Sequence, residues 1–139
     1  MLLLDNSAWA RIVKGVLDDQ RTETIASWIE QRELATSLPF LLEAGYSAQS
    51  ASDHQALVGE LDLFPRVYIT PEAERQALQA QRELALVGHH RLAPVDIIIA
   101  ACAHEAGAGV LHYDRDYDVI AARTCLEFQS EWLAPAGAL

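Results

Sequence analysis

The feature that most constrains this chain is an apolar run that stops in acid. Val110, Leu111, His112 and Tyr113 lead directly into Asp114-Arg115-Asp116-Tyr117-Asp118. A short run of this kind reads as a strand buried on both faces of a parallel sheet, where side chains pointing to either side must find cover. Open α/β sheets gather their ligands at the carboxyl ends of such strands. Carboxylates at that position therefore signal a site. The same pattern opens the chain, where Leu2-Leu3-Leu4 run into Asp5-Asn6-Ser7.

Between these two places, short apolar runs alternate with helical periodicity. Strands are expected at 1–4, 34–37, 65–70, 110–113 and 124–129. A first helix starts near Ala8, capped by Asn6 or Ser7, and stops at Gly15. The next covers 21–32, with Ile25, Trp28 and Ile29 on one stripe. Ser37 and Pro39 start a helix that runs to about Ser52, and another covers 54–63. Thr70 caps a helix opened by Pro71 with Glu72 and Glu74 in its first turn, ending near Val87 and Gly88. Pro94 opens a helix whose Ile97, Ile98, Ile99, Ala100, Ala101, Cys102 and Ala103 are apolar on every side, which predicts burial against the sheet. A last short helix spans 117–123. This alternation predicts one α/β domain over 1–133, a mainly parallel sheet of about five strands with helices on both faces, and a frayed tail over 134–139.

Charge narrows the function classes. A net charge of −10 with pI ≈ 4.7 argues against gripping nucleic acid by a broad basic face. It leaves room for a nuclease whose acids are gathered around divalent cations, since a bound ion inverts the local potential. No apolar run approaches the roughly 18 residues of a spanning helix, and Asp5 interrupts the start before any signal sequence can form. A cytoplasmic protein is expected. Cys102 and Cys125 fit no metal spacing and read as small buried free thiols.

Each acid has a plain structural alternative. Asp5 can cap a helix, Glu43 can be an exposed helix former, and Asp96 in a first turn can complement the helix dipole. Spacing removes other readings of the Asp114, Asp116, Asp118 triplet. A calcium loop starting at Asp114 needs Gly sixth and Glu twelfth, and the chain has Val119 and Cys125. An aspartyl phosphatase carries its Asp-x-Asp early, with most of its catalytic domain to follow. A receiver domain needs a late lysine, and the only lysine is Lys14.

Asp5-Asn6-Ser7 after the first strand, a lone Glu43 in the third helix, Asp96 opening a buried helix and Asp114-Arg115-Asp116 after the fourth strand together resemble a PIN domain, from Met1 to about Gln129. The opening Leu-Leu-Asp-Asn-Ser-Ala-Trp-Ala-Arg and the run Asp114 to Ala121 resemble more narrowly the VapC toxins of bacterial type II toxin–antitoxin systems. The resemblance implies an endoribonuclease dependent on Mg²⁺ or Mn²⁺ and inhibited by a cognate VapB antitoxin, in a homodimer or larger assembly. It implies metal-site roles for Asp5, Glu43, Asp96 and Asp114, with Asp116 as a further acid of the cluster. Ser7 takes the position that holds the first Asp and a metal-bound water, Asn6 departs from the more frequent Thr or Ser, and Asp118 has no fixed role. An all-carboxylate set suits these hard cations. Arg115, with His89, His90, Arg91, Arg11 and Lys14, is a candidate phosphate contact. His104 and His112 read as structural, and Trp9 and Trp28 as core or interface. The alternative is a catalytically weak PIN-like module that binds protein, a reading supported by the acidity and the near absence of lysine.

Overall fold

The computed structural model describes residues 1–89 and 91–139; His90 lies outside the described residues. Four strands, β1 (Leu2–Leu4), β2 (Leu34–Ala35), β3 (Gly109–His112) and β4 (Ser130–Trp132), form a parallel sheet in the order β2-β1-β3-β4. Leu3 aligns with Ala35 on one side and Val110 on the other, and Leu111 aligns with Glu131. All residues of β1 and β3 are buried, and successive side chains point to opposite faces, so both faces of the central strands are covered.

Among the described residues, seven helices supply that cover: α1 (Asn6–Lys14), α2 (Asp19–Glu30), α3 (Leu38–Tyr46), α4 (Ala51–Leu61), α5 (Pro71–Leu86), α6 (Pro94–Ala106) and α7 (Asp116–Arg123). The all-apolar stretch of α6 does what its composition predicts. Ile97, Ile99 and the run 100–103 are buried, with α6 packed on β1 and β3 and flanked by α5 and α7. Trp9 of α1 meets Phe40 and Phe64 edge-on at 6.4 and 6.0 Å. Close packing also fixes the start of β3: a Cβ on Gly109 would stand 2.7 Å from the Gln129 carbonyl oxygen.

Several boundaries differ from the sequence reading, each for a local reason. The expected strand over 65–70 is reduced to one bridge between Thr36 and Arg66, because β2 is only two residues long and offers no further partner. The last strand begins at Ser130 instead of spanning 124–129. There the N–H groups of Cys125, Leu126 and Glu127 donate to Glu83, Thr124 and His104 side chains, so they are not available to a ladder. Cys125 is exposed in that loop, while Cys102 is buried as expected. The expected helix from Ser37 to Ser52 is cut at Tyr46, since Ser50 caps a new one by accepting the Asp53 N–H at 3.0 Å. Asp18 likewise starts α2 two residues early, accepting the Arg21 N–H at 2.7 Å. Among the described residues no helix is long and apolar enough to cross a membrane.

The connection after β1 runs to one side of the sheet, to β2, and the connection after β3 runs to the other, to β4, so the topological switch point falls between β1 and β3. That is where a ligand crevice is expected in a sheet of this kind. Asp5 and Asp114 stand just beyond the two carboxyl ends that flank it.

Candidate metal centre

Asp5 is the N-cap of α1, in place of the expected Asn6 or Ser7. Its Oδ2 accepts the Ser7 N–H at 2.9 Å and the Ser7 hydroxyl, and that hydroxyl oxygen accepts the Tyr113 N–H at 2.9 Å. Ser7 thus fastens the exit of β1 to the exit of β3. Capping alone does not exhaust Asp5, because its Oδ1 points to a second element, where it accepts the hydroxyl of Tyr117 at 2.7 Å.

The exit of β3 is built differently. Asp114 Oδ1 accepts the Asp116 N–H at 2.9 Å, a local turn that starts α7. The Asp114 N–H itself donates to His112 Nδ1 at 3.1 Å, which leaves the ring proton on Nε2. His112 Nε2 then donates to Ser130 Oγ at 2.7 Å, and the Ser130 hydroxyl donates to Asp118 Oδ1 at 2.7 Å. Trp132 Nε1 donates to the other Asp118 oxygen at 2.9 Å. The third acid of the triplet therefore faces β4, away from the first two. His112 is buried, which holds its pKa below the usual value against the pull of nearby acids, so the neutral tautomer required by this chain of bonds is the stable one.

Asp96 is the centre of the cluster. It is buried in the first turn of α6, and an oxygen from each of Asp96, Asp114 and Asp116 lies within 4.8 Å of the others. Desolvation raises its pKa to about 7, with Asp5, Asp114, Asp116 and Glu43 adding to the rise. One carboxyl group thus feels all four other sequence-selected acids. The Asp116 carboxyl is raised by burial and by Asp114, while Arg115 and His89 oppose the shift. Glu43 on α3 is partly exposed; burial and Asp5 raise its pKa, and it stands outside the tight trio.

The donor set fits a hard divalent cation. Among the described residues the cluster offers carboxylate oxygens only, and the imidazole of His112 at the β3 end has both nitrogens engaged. At the end of the neighbouring strand, Ser37 Oγ is fully buried without a hydrogen-bond partner among the described residues, so this edge of the sheet holds unspent polar capacity. Beside α7 a cleft of about 990 Å³ is lined by Arg115, Arg123, His89 and Trp132 among others. Arg21 at its far side is committed to Leu133 and Trp132 carbonyl oxygens at 2.7 and 2.9 Å. Arg11 instead donates to the Ser7 carbonyl oxygen and lies over the Tyr113 ring at 4.2 Å, and Lys14 is exposed at the end of α1.

Sequence reasoning missed Tyr117. Tyr117 and Ile120 are spaced as an ordinary buried helix face, and only the fold shows that the phenol ends between two carboxylates.

A parallel sheet with acids converging at its switch point defines an α/β protein with a carboxylate site, and similarity to known proteins narrows the class. The PIN domain family model matches residues 2–123. Ribonuclease VapC18 of Mycobacterium tuberculosis is 46% identical over 101 residues, covering 70% of this chain and 72% of that protein. Ribonuclease VapC2 of the same species is 37% identical over 125 residues, covering 88% and 86%. Among solved structures, DNA-bound VapBC from Salmonella typhimurium superposes with a TM-score of 0.73 at 22% identity, covering 96% of this chain and all of that one. VapBC2 from Rickettsia felis, bound to a promoter DNA fragment, gives 0.74 at 15% identity, covering 94% and 98%. The chain belongs to the PIN domain family, among the VapC ribonucleases.

Proposed function

We propose that this chain is a divalent-metal-dependent endoribonuclease of the toxin type, restrained by a cognate VapB-type antitoxin. The observation that carries the reading is the convergence of Asp96, Asp114 and Asp116, with an oxygen of each within 4.8 Å of the others, at a place where burial and neighbouring acids push the Asp96 carboxyl up to about 7. Such repulsion is costly in a folded protein unless a cation receives it. Asp5, Asp96, Asp114 and Asp116, with Glu43 at the rim, are the residues that would hold Mg²⁺ or Mn²⁺. When bound, the ion supplies Lewis-acid charge for phosphodiester hydrolysis and lowers the pKa of water. The protein's own work is positioning. Ser7 keeps Asp5 and the β3 exit in register, and the His112 relay fixes the backbone of Asp114. Arg115 and Arg123 line the cleft beside α7, which also carries Asp18, Asp118 and Glu131, and offer cations to the backbone of a single strand of RNA in a chain otherwise too acidic to hold one.

The relatives, ribonucleases VapC18 and VapC2, support the substrate class, and the structural neighbours, both VapBC, support the partner. An antitoxin arm offering an arginine would compete with metal for the carboxylates through bidentate pairing. The test is cleavage of total RNA by the purified chain in Mg²⁺, Mn²⁺ and EDTA, alone and with the antitoxin's C-terminal peptide. Cleavage that needs an ion, fails in Asp96→Asn and is silenced by the peptide supports the proposal. Undiminished cleavage in EDTA contradicts it. An Arg→Ala peptide that inhibits equally at equal occupancy shows that the antitoxin acts by steric cover instead of charge.

A further inference from the structure

Tyr117 is the largest fully buried side chain of the fold, and its ring is already accounted for by packing. His112 stacks on it at 4.8 Å between centroids, and Phe128 meets it edge-on at 6.5 Å. Those contacts need a ring and no hydroxyl. The hydroxyl nevertheless reaches out of this aromatic cluster into the acids, 2.7 Å from Asp5 Oδ1 and 3.4 Å from Asp96 Oδ1. One proton serves both contacts, and the shorter one takes it.

Lone pairs then decide how Asp5 is presented. Its Oδ2 already accepts two donors from Ser7, while Oδ1 accepts Tyr117 alone. A carboxylate oxygen has two acceptor positions, so Oδ1 retains one that Tyr117 does not take, while the same hydroxyl holds both this oxygen and Asp96 Oδ1 within its reach. From this we infer that Tyr117 is a positioning residue of the metal centre: its hydroxyl locks the Asp5 carboxylate so that Oδ1 is offered beside Asp96. The inference rests on the proposed metal-dependent function and assigns that centre a donor outside the acid set.

Outer partners that orient metal ligands typically control about 10–100-fold in affinity or activity. Removing the hydroxyl frees Asp5 to rotate about one side chain's worth of hydrogen bonds, those from Ser7, and leaves its orientation toward Asp96 undetermined. Tyr117→Phe keeps the ring and its packing, so the loss should fall on the ion.

The experiment is calorimetric titration of Mn²⁺ into the metal-stripped full chain, in the wild type, Tyr117→Phe and Phe128→Leu, with melting in EDTA recorded for each. Tyr117→Phe should weaken Mn²⁺ about tenfold. Phe128→Leu, a change in the same aromatic cluster that touches no acid, should lower the melting temperature and leave Mn²⁺ affinity unchanged. Equal Mn²⁺ affinity in the wild type and Tyr117→Phe overturns the inference while leaving the metal centre standing. Absence of saturable Mn²⁺ binding in the wild type overturns both. If Tyr117→Phe does not fold, the wild-type hydroxyl proton of Tyr117 is followed by NMR during Mg²⁺ addition: a shift that saturates with the ion supports the inference, and an unmoved resonance contradicts it.

Discussion

The two strand ends that stop in acid are written alike in the sequence and built unlike in the fold. At the β1 exit a single carboxylate is buried, caps its own helix and has both oxygens held by side chains. At the β3 exit three carboxylates share the work. Asp114 and Asp116 form a partly exposed turn closed by their own backbone, and Asp118 is turned away to fasten Ser130 and Trp132. One end is pinned by three hydrogen bonds to its single carboxylate, while the other leaves Asp114 and Asp116 partly exposed, with Arg115 between them lining the neighbouring cleft. The comparison teaches that acid at a strand end locates a site without saying which acids serve it. Hydrogen-bond commitments make that distinction.

The sharpest way to break the comparison is to exchange charge for shape within the triplet. Asp114→Asn should lower RNA cleavage by orders of magnitude with the fold intact, because it removes a ligand charge and keeps the turn geometry. Asp118→Asn should cost roughly 1–3 kcal/mol of stability, the range for a charge-assisted bond, with cleavage and Mn²⁺ affinity nearly preserved. Equal loss of cleavage in the two variants, with melting recorded alongside, would show that the division of roles is wrong.

Asp96 gives the next largest effect, through pH. Its carboxyl titrates near 3.8 when unfolded and at about 7 in the fold, so the folded state binds the extra proton between those values. The contribution of Asp96 to the stability of the metal-free protein is therefore greatest below the lower value, falls as pH rises through the window and levels above about 7, by a few kcal/mol. The raised Asp116 and Glu43 groups act in the same direction. Denaturant melts in EDTA across this range should show the fall, saturating Mg²⁺ should flatten it, and Asp96→Asn should be more stable than the wild type at pH 8 in EDTA. A metal-free wild type that gains stability from pH 4 to 7 contradicts the assignment.

A smaller effect sharpens the contrast from the other side. Ser7→Ala removes the tie between the two exits and should cost about 1–2 kcal/mol, since it strips a cap partner and leaves the Tyr113 N–H without its acceptor. Hydrogen exchange at the Tyr113 amide should rise in that variant. Unchanged protection there would mean that the exits are held in register by the sheet alone.

Much of this was legible before the fold was known. Leu2–Leu4 and 110–113 declared strands because full burial on two faces leaves no room for polar alternation, and α6 declared itself by having no polar face. Thr70 with Pro71 marked a helix start by local chemistry that needs no tertiary help. Boundaries failed where distant partners decide them. The strand expected over 124–129 was lost to Glu83 and His104, residues 42 and 23 positions away. Among the candidate acids, local pattern picked out Asp96, Asp114 and Asp116, which the fold brings together, whereas Asp5 and Glu43 stand outside that trio and Tyr117 was invisible. A phenol's role depends on where its oxygen ends, which is a property of the packed core.

The central claim is that acids from separate elements form one cation site around Asp96. Anomalous diffraction from crystals soaked in Mn²⁺ tests it most directly. The account predicts a peak at coordination distance, roughly 2.0–2.2 Å, from oxygens of Asp96 and Asp114, and none at Asp118. A peak confined to other surface acids, with Asp96 uncoordinated, would contradict it.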